Sequence, residues 1–340
     1  MYEFGHEHPV TYRQELARPL FDCIRQASSA AIIGAGNMGK TRLIDFIMRK
    51  DVQDHYLEKD ADKTLLLRAD LNRMGQLNEW SLYEVMLTAI VEGCTLNPIS
   101  KPYLKTFNND LRRDVVLHEN ALLAQRSLEL AVKTLVESLG LRICFLLDEF
   151  EPVYQKFSPI VMANLRALRD QNKNRFCYLL FLRNAPETLR DCSEVESFYE
   201  LHSSNLYGLK PYTELDTELI ISQLEERNHI RLDQATRKAI VGMSAGHPGF
   251  LYHLVHEFPK QPGLIYDPNP IDQILKSEKI ERECQKLLSS LPGSEQAGLS
   301  ALVHGRPVGD DVLQRLMLKG LVVNDGIFSK IFERYLQRLS

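Results

Sequence analysis

No stretch of the 340 residues approaches the ~18 consecutive apolar residues that a membrane span needs. The first residues, Met1 to His8, carry neither a basic segment nor a hydrophobic one, so no secretory signal is expected there. Six cysteines (Cys23, Cys94, Cys144, Cys177, Cys192, Cys284) are scattered without a C-x-x-C pair. That excludes a disulfide framework and fits reduced thiols in a cytoplasmic protein. Neither sign of charge dominates: 41 Lys and Arg against 45 Asp and Glu leave −4 at pH 7. A polybasic nucleic-acid binder and an acidic disordered tail are both excluded. Internal repeats and low-complexity tracts are missing as well.

What remains is ordinary for a folded chain, with 44% apolar and 25% charged residues. At roughly 150 residues per domain the length implies about two domains or three small ones. Apolar runs separated by helical periodicity predict a parallel sheet covered on both faces. Its strands are expected at Ser29–Ile33, Thr64–Leu71, Arg142–Asp148, Phe176–Leu182 and Asn205–Leu209. Helices are expected over Glu15–Gln26, Trp80–Cys94, His118–Leu139 and Pro159–Asn172, with a loop over 95–115. After Lys210-Pro211 the strands stop, and Glu214–Arg227, Gln234–Ser244 and Phe250–Phe258 read as a small helical module. Four prolines and a glycine between Pro259 and Pro270 mark a linker. Helices follow, then two apolar runs around Asn324-Asp325-Gly326, a hairpin signal. Helices ending in a hairpin resemble a winged helix. The expected divisions are therefore 1–209, an α/β core; 210–258, a helical lid; 259–270, a linker; and 271–340, a winged-helix-like domain.

The strongest motif is Gly34-Ala35-Gly36-Asn37-Met38-Gly39-Lys40-Thr41, which satisfies G-x-x-x-x-G-K-S/T. It follows an expected strand and opens an expected helix, with Arg42 in its first turn. Glycines let the backbone curl until successive N–H groups face phosphate oxygens, and the helix dipole adds positive potential. Lys40 is expected to reach the β- and γ-phosphates, and the Thr41 hydroxyl to ligate Mg²⁺. The run Ile143–Leu147 ending in Asp148-Glu149 has the form of a Walker B strand. Asp148 would hold Mg²⁺, and Glu149 would polarise the attacking water. An apolar strand that merely meets solvent at its acidic end is the plainer reading of that segment taken alone. The strand Phe176–Leu182 ends in Arg183-Asn184, placed to sense a γ-phosphate and to position water.

With these parts in order, nearly the whole chain resembles STAND-type NTPases, a signal-transduction branch near the AAA+ proteins. Val10-Thr11-Tyr12-Arg13-Gln14-Glu15-Leu16 is similar to the family's apolar-x-x-Arg-x-x-Leu segment. The resemblance implies that Val10 and Arg13 lie near the adenine. It implies that Arg183 is the sensor arginine, and that Pro248 of Gly246-His247-Pro248 packs near the nucleotide as the lid's G-x-P proline. ATP or ADP with Mg²⁺ is the implied ligand, bound between core and lid. No Met-His-Asp triplet occurs, so the histidine that touches ADP in the apoptosome and plant-resistance members has no counterpart. Sensor repeats and effector domains, usual in the family, are expected on a separate partner.

Other clusters read more plainly. His253 and His256, like His6 and His8, lack further ligands for a metal. Arg166, Arg169, Lys173 and Arg175 form a basic helix face, or else a subunit contact offering an arginine finger. The segment Ile271–Ser340 holds 10 basic and 9 acidic residues, and the expected recognition helix Val308–Lys319 carries Asp310 and Asp311 against Arg315 and Lys319. That balance gives duplex binding no support. The expected function is an ATP-binding, ATP-hydrolysing switch that controls self-association or a partner. The alternative is a DNA-associated AAA+-like ATPase of the origin-recognition or transposition-loader type.

Overall fold

The computed structural model describes residues 8–324 and 326–339, so His6 and Asp325 lie outside the described residues. The chain forms two compact units. One comprises the segment ending at Val10 with Gln14–Ile32 and Thr41–Tyr207; the other comprises Thr11–Arg13, Ile33–Lys40 and the chain from Gly208 onward.

The first unit is built on a five-stranded sheet. Its strands are β1 (Ala30–Ile33), β2 (Thr64–Asp70), β3 (Arg142–Asp148), β4 (Phe176–Leu182) and β5 (Leu206–Gly208), in the order β2-β3-β4-β1-β5. β2, β3 and β4 pair in parallel. Every residue of β1 and β4 is buried, which is why these strands read as unbroken apolar runs rather than as alternation. β4 stands between β1 and β3, the additional-strand arrangement. In the β2–β3 register Thr64 faces Arg142 and Asp70 faces Asp148, so the acids gather at the carboxyl edge, where α/β sheets bind ligands.

Residues 95–115 are not the loop that their prolines and asparagines suggested. Lys101–Tyr103 is a short 3₁₀ turn, Thr106–Arg112 a π-helical stretch and Arg113–His118 a helix. Tertiary contacts override the weak local signal. Phe107 and Val115 are buried, Trp80 Nε1 donates to the Val115 carbonyl at 2.9 Å, and Arg112 Nε donates to Thr88 Oγ1 at 2.7 Å. Nor is His118–Leu139 one helix. Glu119 takes a left-handed conformation, Asn120 caps the Leu123 N–H, and the helix runs Ala121–Lys133 before a π-helical end at Thr134–Ser138.

In the second unit the helices Glu214–Asn228, Gln234–Ser244 and Pro248–Glu257 pack together, and Glu278–Ser289 packs on the last of them. The stretch 259–270 contains two 3₁₀ turns and buries Leu264. Helices Gly293–Val303, Asp310–Leu318 and Lys330–Arg338 surround a small hairpin, β6 (Val322–Val323) with β7 (Gly326–Ile327). Val323 pairs with Gly326, so Gly326 belongs to the strand and not to the turn. Lys319 and Glu295 are both fully buried and joined at 2.6 Å. Arg315 pairs with Asp311 at 3.0 Å. Both bases of the expected recognition helix are thus engaged with acids of the chain itself.

Candidate nucleotide site

The phosphate loop belongs to the second unit up to Lys40. Its curl is made by Asn37 and Gly39, both at positive φ. Lys40 is nearly buried, and its Nζ donates to the Gly34 carbonyl at 2.7 Å. Arg13 ties the loop to what surrounds it. Its guanidinium donates to the carbonyls of Met38 (3.1 Å) and Lys210 (2.8 Å), and lies 4.3 Å from the centre of the Tyr212 ring. A cation over an aromatic face is favoured when both are shielded from water, and Arg13 is only 6% exposed. The Arg13 N–H donates to Asp216 Oδ1 at 3.2 Å, and Tyr12 donates its hydroxyl proton to Tyr212 at 3.1 Å. Burial and the neighbouring Tyr212 push the Tyr12 phenol far above its ordinary range.

The Gly246-His247-Pro248 segment has a structural logic of its own. Gly246 has φ +75°, and a Cβ there would stand 2.2 Å from the Tyr212 carbonyl oxygen, so only glycine fits. The Tyr212 N–H donates to the Gly246 carbonyl at 2.9 Å. His247 Nδ1 caps the next helix by accepting from the Phe250 N–H at 3.3 Å, and Pro248 opens that helix, where a missing N–H costs nothing. Val10, by contrast, belongs to the first unit, where its carbonyl accepts from the Tyr56 hydroxyl at 3.0 Å.

The first unit carries the acids. Asp148 is buried at the end of β3. Its Oδ2 accepts from Arg68 at 2.9 Å, and Arg68 also donates to Asp45 at 2.7 Å, so one guanidinium serves two carboxylates. Asp148 Oδ1 is buried and has no hydrogen-bond partner among the described residues. Desolvation raises the Asp148 carboxyl above its ordinary value, with Arg68 opposing it. A buried carboxylate oxygen without a partner is what a hard cation or its water would satisfy. Among the described residues no group of three or more His, Cys, Asp or Glu could hold a metal alone. Mg²⁺ keeps waters and phosphate oxygens in its shell and takes one or two ligands from protein, so a single buried carboxylate oxygen fits it as a protein ligand.

Glu149 follows at φ +54°, a conformation that costs free energy in any residue but glycine. Arg183 Nη2 donates to its carboxylate at 2.8 Å. Glu151 holds the neighbouring turn: its Oε2 accepts from the N–H groups of Arg183 (2.9 Å) and Asn184 (3.1 Å), and its Oε1 from Asn184 Nδ2 (3.0 Å). Arg183 stays exposed while Asn184 is buried. Thr41 and Arg42 are exposed at the start of the helix Lys40–Met48. Arg166 and Arg169 are both paired with Asp170, at 2.7 and 3.0 Å. Sequence reading missed Arg68, Asp45, Glu151, Tyr212 and Asp216. None lies in a recognisable motif, and only a charged residue inside an apolar strand, Arg68 in β2, offered a signal.

The strand order with β4 between β1 and β3, the phosphate loop after β1, the acids after β3 and the helical module after β5 define the AAA+-type P-loop NTPase fold. A Walker-type ATPase of Pyrococcus abyssi shares it over 96% of this chain and 95% of its own, with TM-score 0.59 and 15% identity. The ORC2 protein of Aeropyrum pernix, in its ADP form, shares it over 98% of this chain and 86% of its own, with TM-score 0.54 and 14% identity. No protein-family model and no curated protein sequence matches the chain.

Proposed function

We propose that the chain is a STAND-type switch that binds ATP with Mg²⁺ and hydrolyses it slowly. Lys40 and the amides of Gly34–Gly39 take the β- and γ-phosphates, and Thr41 and the free oxygen of Asp148 hold the metal. Bound Mg²⁺ would neutralise charge on the phosphates. Arg13 and Val10 are assigned to the adenine side and Pro248 to the lid. Arg42 continues the helix whose dipole faces the phosphates. We further propose the divisions 1–209, 210–258, 259–270 and 271–340 as core, lid, linker and winged-helix-like module.

The observation that carries this reading is the 2.8 Å contact between Arg183 and Glu149. The cation suited to sense a γ-phosphate is paired with the base suited to activate water. While Arg183 donates to the Glu149 carboxylate, that oxygen is not available to accept from a water. A γ-phosphate that drew Arg183 away would leave Glu149 free, with Asn184, fixed by Glu151, to orient water. ADP cannot do this, so the two nucleotides favour different states.

Phosphate release measured with wild type, Glu149→Gln and Lys40→Ala tests the reading. Glu149→Gln should lower turnover at least ~100-fold while nucleotide still binds. Lys40→Ala should abolish binding. Light scattering with ADP, ATP or neither should show a change in assembly, or in association with a partner, that Lys40→Ala lacks. Turnover unaltered by Glu149→Gln would end the hydrolytic assignment.

A second reading, a DNA-associated ATPase, draws on the fold shared with the ORC2 protein. It predicts duplex binding that weakens steeply with salt. The internal pairing of Lys319 and Arg315 speaks against the Asp310–Leu318 helix as the binding element.

A further inference from the structure

The phosphate loop is held by a helix that no motif marks. Within the second unit, the Gly36 N–H donates to Ser290 Oγ at 2.9 Å, and Ser290 donates its own proton to the Leu287 carbonyl at 2.7 Å. One residue on, Asn37 Nδ2 donates to Glu283 Oε2 at 2.7 Å. Both partners belong to the helix Glu278–Ser289 and its cap. The fit is close: a Cβ on Gly36 would stand 2.9 Å from Ser290 Cβ. Glu283 is 5% exposed and is anchored on three sides. Lys286 Nζ lies at 2.9 Å and His253 Nε2 at 3.9 Å, while a Cβ on Gly249 would meet its carboxylate at 2.5 Å. His253, Asn37 and Lys286 hold its carboxyl down at about 2, so it is ionised at neutral pH.

These groups compete with phosphate. The Gly36 amide is one of the N–H donors that the motif reserves for phosphate oxygens. Here a hydroxyl accepts from it. The Glu283 carboxylate sits one hydrogen bond from the loop, where a diphosphate or triphosphate brings more negative charge, and like charges repel. We propose that Ser290 and Glu283 form a clasp that closes the phosphate loop against nucleotide, so that nucleotide binding and release of the Glu278–Ser289 helix are one coupled event. This rests on the nucleotide reading above. Linkage makes the coupling reciprocal: the clasp weakens nucleotide by the factor by which nucleotide opens the clasp. Leu291 and everything after it follow directly on this helix, so the state of the phosphate loop is passed to the C-terminal module.

Calorimetric titration of ADP with Mg²⁺ into the full chain, paired with hydrogen exchange of residues 278–291, tests the clasp. Ser290→Ala removes the competing acceptor, and Glu283→Gln removes the charge while its amide oxygen can still accept from Asn37. Each should tighten ADP about fivefold or more, and ADP should speed exchange along 278–291 in wild type. Variants that bind while wild type does not would also support it. Equal affinity of wild type and both variants, or slower exchange along 278–291 on adding ADP, overturns the clasp and leaves the nucleotide reading intact. Absence of binding by wild type and both variants overturns both.

Discussion

Arg68 shows how one side chain can matter without belonging to a motif. It is placed on β2, opposite Leu146 of β3, and its guanidinium spans Asp45 and Asp148. Removing it leaves buried Asp148 and half-buried Asp45 without the cation they share. Arg68→Ala should therefore cost ~1–2 kcal/mol, between the limits for exposed and buried pairs. Mg²⁺ with ADP should restore more thermal stability to the variant than to wild type, because the metal replaces the lost positive charge at Asp148. Differential scanning fluorimetry with and without Mg-ADP reads this. Equal gains in the two proteins would show that Arg68 and the metal do not share that carboxylate. Gly34, Lys40, Thr41, Asp148 and Glu149 stand out in the sequence because the chemistry proposed for them demands fixed spacing along the chain. Arg68, Glu151, Glu283 and Ser290 do not, because their partners are distant in sequence and a lone Arg, Glu or Ser has no spacing to recognise.

At the scale of elements, the segment Gly246-His247-Pro248 is a helix start. The glycine permits the crossing with Tyr212, the histidine caps and the proline begins the helix. Two glycines of this module make opposite predictions. Gly246→Ala forces a side chain into positive φ and against backbone, and should destabilise by ~2–4 kcal/mol. Gly242 lies inside the helix Gln234–Ser244 with open space about its Cβ position. Gly242→Ala should stabilise by ~0.5–1 kcal/mol through backbone entropy. Urea unfolding of both variants checks the pair, and effects of the same sign would contradict the steric account. Strands were read nearly to the residue, since full burial demands continuous apolar runs. The stretch 95–115, expected as a loop, is largely helical. Its helices are secured by Trp80, Thr88 and Glu84 from a preceding helix, and local propensity carries no trace of such contacts.

At the scale of the molecule, the folded chain keeps two histidines from protonating. Burial lowers both His202 and His247 to about 4. His202 sits among Tyr154, Phe198 and Tyr199 with no hydrogen-bond partner for either ring nitrogen among the described residues. Unfolded, both rings titrate near ~6.5. Above that pH neither state is protonated and the fold keeps its full stability. As pH falls from there toward 4, the unfolded chain gains protons that the folded chain refuses, and stability drops. Each ring should contribute ~2–3 kcal/mol by the lower end. Urea midpoints at pH 7.5 and 5 should therefore differ, and His202→Phe should shrink the difference. An unchanged difference in that variant would mean that His202 is not the group responsible.

By itself the amino-acid sequence determined the α/β class, and it marked the glycine-rich turn and the paired acids as the candidate site, because each of these signals follows from local rules. Buried strands must be apolar, phosphate-binding turns must carry glycine, and a metal-binding acid must follow its strand directly. Only the tertiary structure decided what holds those groups in their present state. Arg183 on Glu149, Arg68 on Asp148 and Ser290 on Gly36 all join residues that periodicity and spacing cannot connect. Charges and donors of this kind find their partners through space, and that pairing exists only once the chain has folded.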